Sequence, residues 1–157
     1  MSENQITENQ DSLPQREKYL IFSVQDKLYS LPSGIISEAA VLEKVFPLPL
    51  VPLYVRGIIN RYSVPYALID IHFLLHKDSS NAKKIIVLKE NIDKIALLID
   101  DVTDIADISR EELVKTEPDD PAVSGSINAF FEWKGRPVFC LDAEGLINWI
   151  KQDFEQQ

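Results

Sequence analysis

A chain of 157 residues, 45% of them apolar, suits one domain or two small subdomains sharing a core. No apolar run approaches the roughly 18 residues that a membrane span requires. Its 16 Lys and Arg residues are scattered among 25 Asp and Glu, for a net charge of −9 and no basic stripe, which argues against nucleic acid and against anionic membrane surfaces as ligands.

Residues 1–17 read as a flexible polar tail, too poor in apolar groups to offset the entropy of ordering. They lack the apolar centre of a secretory signal, and the single cysteine, Cys140, cannot form an internal disulfide, so a cytoplasmic location is the simple reading. From Lys18 the pattern changes. Tyr19 to Val24 is β-branched and aromatic, Gln25-Asp26-Lys27 is a polar turn, and Leu28 to Leu31 resumes, which predicts a hairpin. Pro32-Ser33-Gly34 breaks it, and Ile35 to Leu42 follows as another strand or a short helix. Pro47, Pro49, Pro52 and Pro65 then require loops or edge positions, because proline has no N–H for a ladder.

Ala67 to Ile71 predicts a strand leading into a short segment that ends near His76. Lys84–Leu88 and Ile95–Asp100 flank a polar turn as a second hairpin, Val102–Ile108 forms a further strand, and Lys134-Gly135 joins Ile127–Trp133 to Arg136–Leu141. Strands at this spacing predict a mainly β barrel or sandwich. The one strong helix signal is C-terminal. There Asp142 is placed as a cap, and Leu146, Ile147, Trp149, Ile150 and Phe154 form the apolar positions. Residues 18–150 are read as the domain, with 151–157 as the end of this helix or a tail.

A search for chemistry returns little. The five glycines form no phosphate-cradling loop. His72 and His76 are spaced for one helix face, but Phe73 stands where a zinc hydrolase carries glutamate, so they read as two partly exposed histidines on a loop or short helix. Asp100, Asp101, Asp104 and Asp107 lack the glycine of a calcium loop, and a strand burying Val102, Ile105 and Ile108 between solvated acids explains them better. Cys140 reads as a small buried thiol in an apolar strand. The expectation is a protein that is not an enzyme and that takes no cofactor or metal.

Several landmarks coincide in order: Tyr19–Val24, Tyr29-Ser30-Leu31-Pro32, Ile36-Ser37-Glu38, then Pro52-Leu53-Tyr54-Val55-Arg56-Gly57-Ile58-Ile59-Asn60 and Leu68-Ile69-Asp70-Ile71. Farther on come Leu97 to Ile105, Gly125-Ser126-Ile127 and Val138 to Asp142. Over roughly residues 18–150 this resembles the CheW family of chemotaxis coupling proteins. The resemblance implies two small SH3-like five-stranded barrels around a shared apolar core. It also implies a scaffold role, joining a CheA-type histidine kinase to the cytoplasmic tips of methyl-accepting chemoreceptors, and it leaves room for self-association in array rings. An adaptor of a different chemosensory pathway, in motility or gene regulation, is the alternative.

By match to the motif, Ile36, Glu38, Arg56, Gly57, Asn60, Arg61 and Tyr62 are the candidate partner-binding residues. Five of them have a plainer alternative: core packing for Ile36, solvated charge for Glu38 and Arg56, a backbone requirement for Gly57, and a turn for Asn60. The chain departs from the family after Asn60. Where an arginine and a glycine are usual it has Tyr62 and Ser63, and alternation on a strand would turn the neighbouring Arg61 to the opposite face. Altered coupling at this loop is therefore expected.

Overall fold

A computed structural model describes residues 15–78, 81–115 and 126–155. Gly125 and most of the expected N-terminal tail lie outside the described residues.

The first hairpin forms where the aromatic and β-branched runs predict it, as β1 (Arg16–Val24) and β2 (Lys27–Pro32). Gln25 and Asp26 both take left-handed φ, the two-residue turn whose twist matches the flanking strands. Strand β1 starts earlier than the tail boundary at residue 17 allows. Arg16 and Glu17 pair with Ser109 and Ile108, and the Arg16 guanidinium also donates to the Asp107 carbonyl.

After a single 3-10 turn the ambiguous Ile35–Leu42 segment becomes β3 (Ile36–Val41). The proline-rich stretch is a connector to β4 (Val55–Arg61), and Tyr62-Ser63 turns the chain into β5 (Val64–Asp70). Pro65 is tolerated within β5 because pairing to the strand on its far side begins only at Ala67. Helix α1 (Ile71–His76) follows, then β6 (Lys84–Leu88), β7 (Ile95–Ile99) and β8 (Asp101–Ser109). The chain ends in β9 (Val114–Lys115), β10 (Ile127–Trp133), β11 (Arg136–Leu141) and α2 (Ala143–Glu155), so residues 151–155 continue the helix.

The strands form two sheets, β8-β1-β2-β11-β10-β9 and β3-β6-β7-β5-β4. Each has its own apolar filling. Tyr19, Ile21, Leu28, Phe131 and Val138 pack in the first, and Ile59, Leu68, Ile85 and Leu98 in the second. A third cluster lies between the sheets, joining Phe22, Tyr29 and Leu31 to Ile69, Leu74, Ile86 and Leu97, and α2 adds Leu146, Ile147 and Ile150. Tyr54 pins α2 to the connector, its hydroxyl donating to Asp153 at 2.5 Å and its ring 5.4 Å from that of Trp149.

The expected mainly β fold, two small units around a shared apolar core, is present; among the described residues the units are one six-stranded and one five-stranded sheet whose ladders stay open. In each, other contacts span the open side. Across the first, Asp104 on β8 accepts from Trp133 Nε1 at 2.9 Å and from Lys134 Nζ at 3.0 Å. Across the second, the connector makes a β-bridge from Phe46 to Ile58, with N–H···O distances of 2.8 Å both ways, and Arg61 pairs with Glu38.

Two further expectations fail. Ile105 is 58% exposed, because a spacing of three cannot keep Val102, Ile105 and Ile108 on one strand face; Ala106 and Ile108 are the buried pair. His72 is buried on the inner side of α1, so only His76 is partly exposed.

Candidate partner-binding surface

The seven candidate residues fall into three settings. Ile36 lies half-buried against the core between the sheets and pairs with Leu88, so packing accounts for it. Gly57 sits at a bulge in the β4–β5 ladder with φ of +140°, and a Cβ there would lie 2.3 Å from the Phe46 carbonyl oxygen. A backbone requirement therefore explains this glycine.

Arg56 and Asn60 share the outward phase of β4 and are exposed. Asn60 lies opposite Pro65, just before the turn. Arg56 donates from Nε to the buried carboxylate of Asp70 at 3.1 Å. Asp70 also caps α1, accepting from the Phe73 N–H at 3.2 Å. Sequence reasoning passed over Asp70, although an aspartate directly before an apolar run is a helix-start signal.

Glu38, Arg61 and Tyr62 meet at the rim of the second sheet. Arg61 reaches across the open side, and its Nε and Nη2 both donate to Glu38 Oε1, the former at 2.7 Å. These hydrogen bonds push the Arg61 pKa up, so its charge is permanent. Tyr62 is 84% exposed, with its ring 5.5 Å from the Arg61 guanidinium carbon and its hydroxyl 3.5 Å from Glu38 Oε2. Arg61 and Tyr62 thus converge on one carboxylate, Arg61 on Oε1 and Tyr62 on Oε2.

Tyr62 and Ser63 take φ of 53° and 67°, a two-residue turn that favours Asn-Gly. Ser63→Gly should relieve this conformation and stabilise the fold by about 1 kcal/mol, raising Tm by about 3 °C in a thermal melt. An unchanged Tm would mean that the serine is not strained.

The residues that sequence reasoning missed lie on the connector. From Lys44 to Arg56 there is no acidic residue, in a chain of net charge −9, and Phe46, Leu48, Leu50 and Leu53 are exposed. Leu50 is 99% exposed at a left-handed φ of 59°, with Pro49 before it and Pro52 close behind. Prolines limit the freedom this segment would lose on binding. With Lys44 at one end and Arg56 at the other, and joined to β4 by the Phe46–Ile58 bridge, it forms an apolar surface edged by charge, the composition of a protein contact.

Cys140 is buried, its thiol pKa pushed up by burial, and no three potential metal-ligating side chains cluster among the described residues. No helix among them is long and apolar enough to cross a membrane.

Comparison with known families matches residues 18–151 to the CheW-like domain. The chain belongs to the CheW-like domain family. Among solved structures, the crystal structure of the scaffolding protein TtCheW from Thermoanaerobacter tengcongensis is similar, with 18% identity and a TM-score of 0.71 over 83% of this chain and 90% of that one. At that identity the likeness speaks for the fold. Comparison with curated proteins gives no match. The CheW-like match takes in both sheets and all seven candidate residues.

Proposed function

We propose that this CheW-like protein is a non-catalytic cytoplasmic adaptor that couples a CheA-type histidine kinase to the cytoplasmic tips of methyl-accepting chemoreceptors. The observation that carries this reading is the family match over residues 18–151. The surface at the second sheet suits such a role. A receptor tip presents helices, and the exposed Phe46, Leu48, Leu50 and Leu53 offer apolar contact on a segment that is bridged to β4 through Phe46. Glu38, Arg56, Asn60, Arg61 and Tyr62 are assigned to the docking surface. Ile36 and Gly57 are assigned to shaping it from beneath.

The Tyr62-Ser63 turn favours a second reading, an adaptor of a different chemosensory pathway. Neutralised by Glu38, Arg61 no longer offers a free fork to a partner carboxylate, and the outermost group at the rim is an aromatic ring.

The test is a pull-down of tagged protein from its native cytoplasm, with partners identified by mass spectrometry. Recovery of a CheA-type kinase and a chemoreceptor supports coupling, and recovery of neither overturns it. With the recovered partner, Leu50→Asp should weaken binding by roughly 10-fold or more, as expected for an apolar anchor, while circular dichroism stays unchanged. Equal affinity would remove the connector from the interface. The Tyr62→Arg, Ser63→Gly double variant should bind a standard receptor or kinase domain more tightly. A titration showing no gain would mean that this turn does not set specificity.

A further inference from the structure

The two histidines play no part in the proposed docking surface, yet both sit where the sheets meet. They lie one turn apart on α1 with ring centroids 5.5 Å apart. His72 Nδ1 is 2.8 Å from the Asp78 carbonyl, which can only accept, so the proton sits on Nδ1. His76 Nε2 is 3.3 Å from the hydroxyl of Tyr29, on β2 of the first sheet. Tyr29 itself is buried in the core between the sheets, and burial pushes its pKa up to about 12, so it remains a neutral phenol at any physiological pH. The His76–Tyr29 contact therefore joins α1, an element of the second half of the fold, to the first sheet.

The surroundings of His76 disfavour a proton. Lys27 faces it from β2 and His72 from the preceding turn of α1, while among the described residues Asp100, between β7 and β8, is the carboxylate that faces it. Asp100 Oδ2 is already engaged by the Gln25 N–H at 2.7 Å. Strand β7, packed along α1, is apolar throughout, and the Lys77 ammonium turns back towards the Leu74 carbonyl at 3.5 Å. Burial first, then Lys27 and His72, hold the His76 pKa below its ordinary 6.5.

We propose that the His76–Tyr29 contact is a proton-sensitive latch, which holds α1 on the first sheet when His76 is neutral and loosens it on acidification. The sign follows from linkage. A released helix would return His76 to its ordinary pKa, so the latch is at full strength above about 6.5 and weakens as pH falls below that value towards the lower latched pKa. The effect reaches the docking surface, because α1 starts from Asp70, whose carboxylate both caps the helix and holds Arg56. Acidification of the cytoplasm would then loosen one of the anchors of Arg56.

Amide hydrogen exchange on the full chain at pH 7.5 and 5.0, corrected for intrinsic rates, tests this. The reporter is the Lys77 N–H, which donates to the Phe73 carbonyl at 2.9 Å, and the β6 amides serve as reference. The wild type should lose protection at Lys77 at pH 5.0 while β6 keeps its own, and His76→Gln, which cannot take the proton, should keep both. Unchanged protection at Lys77 in the wild type, or an equal loss in His76→Gln, overturns the latch. Should that variant fail to fold, a proton NMR titration of the wild-type ring decides: His76 titrating below 6.5 supports the proposal, and titration at or above 6.5 overturns it.

Discussion

Gly57→Ala should destabilise the protein by about 4 kcal/mol, a fall in Tm of about 10 °C. Two effects add. The backbone at Gly57 has φ of +140°, a region that residues with a Cβ rarely enter. The new Cβ would also lie 2.3 Å from the Phe46 oxygen and 2.9 Å from the Phe46 carbonyl carbon. These are backbone atoms, so no rotamer change makes room. Either β4 shifts or the Phe46–Ile58 bridge opens, and that bridge helps to span the open side of the second sheet. Urea unfolding gives the energy, and faster exchange at the Ile58 amide locates the damage. Gly34→Ala is the control, because nothing lies within 4 Å of a Cβ there, and it should change stability by less than about 0.5 kcal/mol. A loss below about 1 kcal/mol for Gly57→Ala would show that the connector moves aside without resistance.

Gly57 also shows where sequence reading stops. The motif containing it was visible, and a backbone requirement was one of its two readings, but the atom it must avoid is eleven positions away on a connector of irregular shape. Runs rich in β-branched and aromatic residues, by contrast, write their strands directly into the sequence, and the hairpins at Gln25-Asp26 and Lys134-Gly135 were legible for that reason, as the buried face of α2 was from its helical period. Ile105 was misplaced because three apolar residues at a spacing of three were assigned to one face, against the strand period.

The rim at Glu38 and Arg61 was legible only in part. Both residues were singled out, yet nothing local says that the edge strands β3 and β4 approach each other across a sheet in which three other strands separate them. Alternation gave Arg61 the face opposite to Tyr62, yet both side chains reach Glu38. The turn takes Tyr62 out to solvent, while Arg61, as the last residue of β4, reaches across the open side of the sheet to Glu38. The connector left a different kind of trace. Thirteen residues without an acid in so acidic a chain are a compositional signal, although the exposure of Leu50 depends on its left-handed turn and could not be counted from the sequence.

Asp70→Ala should cost about 3 kcal/mol, and Asp70→Asn about half as much. The carboxylate is 1% exposed and joins two jobs that are separable by chemistry. Oδ1 accepts the Phe73 N–H at 3.2 Å and starts α1, a role that asparagine can keep. Oδ2 accepts from Arg56 Nε at 3.1 Å, and there the negative charge matters. Because the Arg56 side chain is 37% exposed, water screens part of the pair, and the value falls below that of a fully buried one. A double-mutant cycle with Arg56→Met, read by urea unfolding, should give a coupling of about 1 kcal/mol between Arg56 and Asp70. If Asp70→Asn proves neutral and the coupling vanishes, the carboxylate is only a helix cap, and α1 does not communicate with the docking strand. If Asp70→Asn costs as much as alanine, the charge dominates, and the position of Arg56 on β4 depends on it.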